Sequence, residues 1–510
     1  MAYSLYLLAA YCCLPQKTDV IFVTWAISDY KMHKNKLNGT DHLYLQIAGS
    51  LEQMIHNDIL KIGDKLPSVR MLSDEYGISM GTAFQAYYYL EGKGLIESRP
   101  KSGYYVRFNH KRFPALPAAA KPEAMAETIS VDEMVAAVFK KLSATDITNL
   151  ALAAPAMELI PAAKLNKSLV HAFRHSASSC LNYEDVQGNL ELRKQVARMA
   201  FNWGGKINAN DVVITAGCME ALSLSLQTVT RPGDTVAIES PTFFGIFQVM
   251  ESLGLHVIEI PTDAVTGIDL NYLEEAIKQS NIKACVFVPS FNNPLGCCMP
   301  DENKKTLVEL ITKHRIPLIE DDIYGELYFG QHRPRCCKTY DTEGWVLYCS
   351  SISKSLAPGY RIGWTIPGRF KEQFTRLKMR HTISGVTITQ HTMAHFLGIG
   401  RFDYHLKKLR TALHTTQLRY VQGIIDHFPP DTKISRPQGG FVLWLELNKK
   451  VNTYQLYQEA IKYQVSVAPG RIFSMRDRYS NYMRIGYGQP WSDSVERGIR
   501  ILGGLVKKMC

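Results

Sequence analysis

A lysine set among small hydroxyl residues is the first feature of the sequence that could do covalent chemistry. Lys354 follows Ser351 and Ser353, and Arg361 lies seven residues further on. A lysine amine can form a Schiff base with an aldehyde, while hydroxyls and a guanidinium can hold a phosphate dianion beside it. Alone, this run is weak evidence, because most lysines are solvated surface groups.

Other polar groups follow apolar runs elsewhere in the sequence. Gly217 turns the chain into a helix start, where the backbone N–H groups of Cys218 and Met219 could bind phosphate. Asp321 comes directly after an apolar run, and an aspartate in that place could keep a pyridinium nitrogen protonated. Taken one at a time, Gly217 is equally consistent with an ordinary turn and Asp321 with a helix cap. Asn293 by itself indicates only a turn.

The elements that must position these groups alternate along the chain. From Leu150 onward, short β-branched runs alternate with helical stretches, which predicts a mostly parallel sheet covered by helices on both faces. The candidate strands are residues 212–214, 236–238, 284–288, 317–319 and 346–348. Because ligands of such sheets gather at the carboxyl ends of the strands, the polar groups fall where a site is expected.

In combination, these segments resemble the fold-type I, class I aminotransferase domain. The resemblance extends from about Tyr183 to the C-terminus, and its most specific pieces are NNPLG, EDDIYG and SSISKSLAPGYRIGW. It implies an α/β domain with a smaller C-terminal α/β subdomain, pyridoxal 5′-phosphate as the cofactor and a head-to-tail homodimer.

The resemblance also implies a role for each matching residue. Lys354 would form the internal aldimine, Asp321 would pair with the pyridine nitrogen, and these two with Tyr324 would be the catalytic set. Arg484, in YMRIGYG, would bind the substrate carboxylate with help from Asn293. The other cofactor contacts would be Phe243 on the ring face, Asn293 and Tyr324 on the phenolic oxygen, Gly217, Cys218, Met219, Ser351, Ser353 and Arg361 on the phosphate, and Tyr183 on the phosphate held by the partner subunit.

A different pattern occupies residues 43 to 106. Apolar residues at helical spacing predict three helices, and a β-hairpin follows them. Pro67 and Ser68 are predicted to open the second helix and Gly77 to end it. Ser79 is predicted to cap the third helix, whose inner face is Ala83, Ala86, Tyr87 and Leu90. This order is typical of a winged helix-turn-helix, whose third helix enters the major groove of DNA.

The DNA contacts expected of such a module follow from its geometry. Candidate base contacts are Ser79, Thr82 and Gln85, and candidate phosphate contacts are Arg70, Arg99 and Lys101. Residues 41–112 hold nine Lys and Arg against eight Asp and Glu, so the segment is nearly neutral. Its charge therefore does not exclude the alternative of a three-helix interaction domain that binds no nucleic acid. The segment nevertheless resembles the winged helix-turn-helix of GntR-type bacterial regulators, most specifically in GDKLPSVR, LEGKGLIESRP and SGYYV. Its third helix, SMGTAFQAY, lacks the basic residue common after the serine.

Length and composition bound these interpretations. The chain has 510 residues, 46% hydrophobic and 21% charged, which exceeds one ordinary domain and excludes general disorder. A net charge of +11 permits a polyanionic partner, and no apolar run approaches the ~20 residues of a membrane span, so a cytoplasmic location is expected. Six of the 11 cysteines form adjacent pairs, which suit neither zinc nor unstrained disulfides, so no metal site is expected.

The whole chain is therefore predicted to be multidomain. Residues 1–40 receive no role, 41–109 form the DNA-binding head, 110–129 a Pro- and Ala-rich linker, and 130–510 the aminotransferase-like domain. This arrangement resembles MocR-type regulators of the GntR family, which implies a transcription factor that binds a double-stranded DNA operator. We expect it to sense an amino compound through aldimine exchange at Lys354. An active aminotransferase with an auxiliary DNA-binding head stays open, because the catalytic set is complete.

Overall fold

Two compact units make up the protein, residues 1–113 and residues 114–510. The computed structural model describes residues 43–57, 59–99, 102–107, 114–119, 147–176, 181–476 and 478–510. The N-terminal segment 1–40, most of the predicted linker and Lys101 lie outside the described residues.

The smaller unit is the winged helix-turn-helix that the sequence predicts. Its elements are α1 (Leu43–His56), α2 (Val69–Tyr76), α3 (Met80–Gly92) and an antiparallel hairpin of β1 (Ile96–Arg99) and β2 (Gly103–Val106). The hydroxyl of Ser68 accepts a hydrogen bond from Met71 N at 3.1 Å and so caps α2. Gly77 ends α2 with a φ of +62°, a left-handed conformation that glycine adopts without strain.

The larger unit contains the remaining elements. In chain order they are β3 (Thr148–Asn149), α4 (Ala162–His175), α5 (Leu190–Ala200), β4 (Val213–Thr215), α6 (Cys218–Val229), β5 (Thr235–Ser240), α7 (Phe244–Ser252), β6 (His256–Asp263), β7 (Gly267–Ile268), α8 (Leu270–Gln279), β8 (Ile282–Phe287), α9 (Asp301–Lys313), β9 (Leu318–Asp321), β10 (Val346–Ser351), β11 (Gly363–Ile366), α10 (Lys371–Thr382), α11 (Thr387–Gly398), α12 (Arg401–His427), β12 (Lys433–Ile434), β13 (Val442–Glu446), α13 (Thr453–Lys462), β14 (Val465–Ser466), β15 (Ala468–Pro469), β16 (Tyr482–Gly486) and α14 (Asp493–Met509).

Eight strands form the central sheet, in the order β4-β11-β10-β9-β8-β5-β6-β7. The pairs from β10 through β9, β8 and β5 to β6 are parallel, and the pairs at both edges are antiparallel. The prediction of a mostly parallel α/β sheet is confirmed. Every residue of β10 is buried, as expected of a strand covered on both faces.

The sequence prediction missed three strands of this sheet. Strand β6 carries Glu259 and Pro261 within its apolar run, while β7 and β11 have only two and four residues. None of them stands out as a continuous β-branched run, so tertiary pairing rather than local propensity decides their conformation.

A second sheet, with the order β12-β13-β16-β15, belongs to the smaller C-terminal subdomain. The subdomain's helices α13 and α14 pack against each other, and Trp444 of β13 is fully buried in its core. The predicted C-terminal subdomain is therefore present.

Part of the Pro- and Ala-rich segment is attached to this second sheet. Ile434 N donates to Ala115 O at 3.0 Å, and Ala118 N donates to Glu446 Oε2 at 2.7 Å. Composition predicts a solvated spacer from residue 110 to 129, whereas the six described residues from 114 to 119 pack on the larger unit. Among the described residues, no helix combines the length and apolarity required to cross a membrane.

Candidate cofactor and substrate site

Parallel pairing brings the predicted chemical groups to one edge of the central sheet. Asp321, the last residue of β9, pairs with Cys349 of β10, so Ser351 and Lys354 follow at the same edge. Asn293 lies six residues after the end of β8, the neighbour of β9 on the other side. Segments far apart in sequence therefore meet at the carboxyl ends of the strands, as such sheets require.

A cavity of about 220 Å³ opens at this edge. The residues that line it are Ala154, Cys218, Met219, Leu222, Phe243, Val288, Asn293, Asp321, Ile323, Tyr324, Ser353, Lys354, Pro358 and Arg361. Nine of the residues predicted for cofactor binding are among them, from at least five separate segments of the chain.

Lys354 presents its amine to this cavity. Nζ donates to the carbonyl oxygen of Ala153 at 2.6 Å. Burial and, to a smaller extent, the positive charge of Arg484 lower the pKa of Lys354 to about 8, and the carboxylate of Asp321 opposes both effects. The amine consequently sheds its proton more readily than an ordinary lysine, which makes it a better nucleophile near neutral pH.

This pKa predicts how the reactivity of Lys354 depends on pH. In the cofactor-free protein, acylation of Lys354 by an amine reagent should rise with pH with a midpoint near pH 8 and level off about one pH unit above it, because only the neutral amine reacts. Lysines with an unperturbed pKa of about 10.4 should keep gaining reactivity over two further pH units. Competitive labelling, read peptide by peptide with mass spectrometry, measures both curves. A midpoint for Lys354 near that of the unperturbed lysines would contradict the prediction.

Asp321 lines the same cavity as a buried carboxylate. Its Oδ1 accepts hydrogen bonds from Cys218 Sγ at 3.4 Å and from Ile323 N at 3.0 Å. Burial raises the pKa of Asp321 to about 6, and these two hydrogen bonds limit the rise. The carboxylate is therefore ionised at neutral pH and can pair with a protonated ring nitrogen.

The start of α6 and the Arg361 side chain form an anion cradle. Arg361 Nη2 donates to Ala216 O at 2.8 Å, and Nη1 donates to Ser353 Oγ at 3.4 Å. Gly217 has a φ of +88°, and a Cβ atom there would lie 2.3 Å from Arg361 Nη2. Only glycine therefore lets the arginine lie across the helix N-terminus, where backbone N–H groups and the helix dipole favour a phosphate.

Arg484 is only 4% exposed and contacts the cavity through Asn293, which lines it. Nη1 donates to Asn293 Oδ1 at 2.8 Å, Nη2 donates to Ala151 O, and the guanidinium lies 5.1 Å from the Phe473 ring. Within the described residues, Arg484 Nε is buried without a hydrogen-bond partner. A buried donor left in this way is costly, and a ligand carboxylate would satisfy it.

The remaining predicted residues take different places. Tyr324 is buried and its hydroxyl accepts a 3.5 Å hydrogen bond from Asn293 Nδ2. Ser351 is buried and does not line the cavity, and its hydroxyl accepts from Ser353 N at 3.2 Å. Tyr183 is 83% exposed and does not line the cavity, so a role toward a partner subunit stays a prediction.

Two backbone carbonyls are the site components that sequence reasoning missed. Ala151 O accepts from Arg484, and Ala153 O accepts from Lys354. Both belong to the stretch directly after β3, which pairs in parallel with β14. No sequence signal could have identified them, because any residue type carries a carbonyl.

A buried ionic cluster beneath the site was also missed. Arg333 contacts Asp322 and, at 2.8 Å, Glu326, while the Tyr348 hydroxyl donates to Asp322 Oδ2 at 2.7 Å. Asp322 is the residue after Asp321, so this cluster holds the end of β9 in place. The adjacent acidic residues of the sequence therefore divide into one that faces the cavity and one that faces the core.

In the smaller unit, the predicted DNA contacts differ in availability. Arg70 and Gln85 are exposed. Ser79 Oγ caps α3 by accepting from Thr82 N at 3.0 Å and lies 2.9 Å from Thr82 Oγ1. Arg99 forms a 2.8 Å ion pair with Glu97 and stacks over the Tyr105 ring. These roles stay predictions, and that of Lys101 lies outside the described residues.

The donors and acceptors present fit pyridoxal 5′-phosphate. Lys354 offers an amine for the aldehyde, Asp321 a carboxylate for the ring nitrogen, and Asn293 and Tyr324 polar groups for the phenolic oxygen. The glycine-dependent cradle at Arg361 suits the phosphate.

Comparison with known proteins supports this assignment. Residues 145–500 match the family model of aminotransferase class I and II, and residues 43–106 match that of bacterial regulatory proteins of the gntR family. The chain is 37% identical to the uncharacterized HTH-type transcriptional regulator YjiR of Escherichia coli (strain K12), over 91% of this chain and 98% of the relative. It is 35% identical to YdcR, of the same description and organism, over 91% of this chain and 99% of the relative.

Solved aminotransferases share the fold of the larger unit. The kynurenine aminotransferase of Pyrococcus horikoshii, in complex with PMP, has a TM-score of 0.69 and 28% identity, over 73% of this chain and 94% of that structure. LysN, the alpha-aminoadipate aminotransferase of Thermus thermophilus, was solved with N-(5'-phosphopyridoxyl)-L-leucine. It has a TM-score of 0.68 and 25% identity, over 74% of this chain and 96% of that structure.

Proposed function

The chain belongs to the MocR-type group, in which a gntR-family head is joined to a class I and II aminotransferase domain, and from this premise we propose a sensing function. The protein is a transcriptional regulator that binds operator DNA and responds to an amino compound at Lys354. Its cofactor is pyridoxal 5′-phosphate, which supplies an aldehyde for amine capture and a ring that withdraws electrons.

The observation that carries this proposal is a complete ligand site in the same chain as a DNA-binding head. Lys354, Asp321 and the anion cradle at Arg361 surround one cavity, and Arg484 reaches it through Asn293. A site kept only as a scaffold would not need a lysine of lowered pKa opposite a buried, ionised aspartate.

Arg484 indicates the chemical class of the ligand. Its planar guanidinium is suited to a carboxylate, and burial makes an unsatisfied Nε costly. We therefore expect an amino acid, α or ω, in preference to an amine without a carboxylate.

Two hydrogen bonds offer a route from the ligand to the rest of the chain. Arg484 and Lys354 donate to Ala151 O and Ala153 O, in the first described stretch after residues 120–146. A carboxylate that takes Arg484 would compete with its bond to Ala151 O, whereas an amine that takes the place of Lys354 on the cofactor would free Nζ to donate to Ala153 O. The stretch that leads toward the head then has a different stability with and without ligand, which is the differential interaction that a switch requires.

The proposal includes a head-to-tail homodimer. Tyr183 is 83% exposed, and large apolar residues before it in the sequence are also exposed, Leu181 by 88% and Phe173 by 66%. A second subunit that covers this surface would bring Tyr183 toward the phosphate end of the opposite cavity.

Steady aminotransferase turnover is the less favoured function. The HTH-type regulators YjiR and YdcR cover 91% of the chain, whereas the Aromatic-amino-acid aminotransferase 1 of Thermococcus litoralis covers 73%. The regulators therefore match the DNA-binding head as well as the aminotransferase domain of this chain.

The test measures DNA affinity of the purified full-length protein against a panel of amino acids and amines. One carboxylate-bearing amino compound should change the DNA dissociation constant by between about 5-fold and 150-fold, the usual range of coupling between two sites. The same compound should change the visible absorbance of the bound cofactor. Sustained turnover with a 2-oxo acid, together with DNA binding that is absent or insensitive to salt, would instead support the enzyme.

A further inference from the structure

The exposed face of the recognition helix α3 carries apolar side chains in place of cations. Met80, Phe84 and Tyr88 are 54%, 51% and 69% exposed and lie four residues apart, so they form one ridge along the helix. Gln85 is exposed beside them. The only charged residue of α3 is Glu91, in its last turn.

This ridge is held on the outside by the packing of the opposite face. Ala83, Ala86, Tyr87 and Leu90 are buried, and they lie on the other side of the helix. The Tyr87 hydroxyl donates to Pro67 O at 2.7 Å, which fixes the rotation of α3 against the start of α2. The ridge therefore cannot turn into the core of the smaller unit.

The hydroxyl groups at the start of α3 are already engaged. Ser79 Oγ accepts from Thr82 N, and the two hydroxyl oxygens are 2.9 Å apart. Direct hydrogen bonds to bases from the exposed front of the helix are thus left mainly to Gln85.

We propose that α3 recognises T·A base pairs through apolar contacts of Met80 and Phe84 with thymine C5-methyl groups, while Gln85 pairs with adenine. This inference rests on the proposed DNA-binding function and specifies which sequence is bound. In the major groove, thymine presents a methyl group that apolar side chains contact, and adenine presents the donor and acceptor that an amide matches in a bidentate pair.

The position of the ridge, rather than the charge of the head, favours DNA bases as its occupant. Residues 41–112 carry a net charge of only +1, so phosphate contacts alone provide limited affinity. The ridge also lies on the helix that a helix-turn-helix inserts into the major groove, continuous with the exposed Gln85. A protein partner on the same face would block this helix from DNA.

The experiment first selects binding sites for the full-length protein from a random duplex library. The selected half-sites should be rich in T·A pairs. Each thymine is then replaced by deoxyuridine, which removes only the methyl group. Each contacted methyl should contribute about fourfold in affinity for the wild-type protein. The variant Phe84→Ala should lose this sensitivity at one or two positions, whereas Ile59→Ala, at a residue 41% exposed outside α3, should retain it.

The outcomes separate this inference from the function on which it rests. Sequence-selective binding that ignores the thymine methyl groups, or selected sites rich in G·C pairs, would overturn the inference and leave the regulator intact. A Phe84→Ala variant that changes the oligomeric state while keeping methyl sensitivity would show that the ridge binds protein, which also overturns it. A protein without any sequence-selective, salt-dependent binding would refute the proposed function itself.

Discussion

Replacing Lys354 by alanine is expected to abolish the response of DNA binding to the amino compound. A wild-type change between about 5-fold and 150-fold should fall to no change, because the only amine in the cavity lining that can join the cofactor aldehyde and be displaced by the ligand is lost. The fold should survive, since the only hydrogen bond described for Nζ is the one to Ala153 O and burial already disfavours its charged form. DNA titrations with and without the compound, together with thermal unfolding, measure both effects.

Two further variants make this test specific. Lys354→Arg keeps a cation but has no amine able to form a Schiff base, so it should also lack the response. Lys305→Ala removes an exposed lysine from α9, away from the cavity lining, and should respond as the wild type does. A Lys354→Ala variant that still responds fully would show that the ligand acts without the amine and would contradict the sensing proposal.

Arg333→Met should produce the largest loss of stability. The side chains of Arg333 and Asp322 are 3% and 1% exposed, and Glu326 is nearly as buried. Removing the cation leaves two carboxylates without their partner, which costs about 3–5 kcal/mol in buried clusters. Because Asp322 adjoins Asp321, cofactor retention should fall as well. Urea unfolding followed through Trp203, whose ring stacks on Tyr348 at 5.1 Å, measures the loss.

A surface ion pair provides the matched control. Arg376 pairs with Glu372 on α10, but their side chains are 72% and 74% exposed. Solvent screens such a pair, so Arg376→Met should cost less than about 1 kcal/mol. Equal losses for Arg333→Met and Arg376→Met would mean that the buried cluster does not stabilise the end of β9.

In the larger unit, some site residues and strands could be predicted from the sequence and others could not. Lys354 and Gly217 are weak candidates when each is taken alone, and it is the order of NNPLG, EDDIYG and SSISKSLAPGYRIGW, which resembles the class I aminotransferase domain, that singled them out. The five longer or β-branched strand candidates correspond to strands of the central sheet because their local patterns and the tertiary structure agree. Strands β6, β7 and β11 escaped prediction because their pairing partners, rather than their own residues, make them strands.

In the smaller unit, too, local sequence predicts some features of the helices, and tertiary packing decides others. Capping serines and the glycine that ends α2 are local signals, and the predicted helix-turn-helix is confirmed by them. The helical spacing of Ala83, Ala86, Tyr87 and Leu90 predicts the buried face of α3, and the structure confirms it. The degree to which Met80, Phe84 and Tyr88 stay exposed as one apolar ridge was decided only in the folded unit.

The sequence by itself determined the chemistry of this protein: an amine, a carboxylate, a guanidinium and an anion cradle, joined to a DNA-binding head. Side-chain type and short-range spacing are sufficient for that, because each group acts through its own functional atoms. Only the tertiary structure decided how the groups are tuned. Cys218 donates to Asp321, 103 residues away, and the carbonyls of Ala151 and Ala153 receive Arg484 and Lys354. Burial and long-range contact set pKa values and coupling, and neither is encoded in any local segment of the chain.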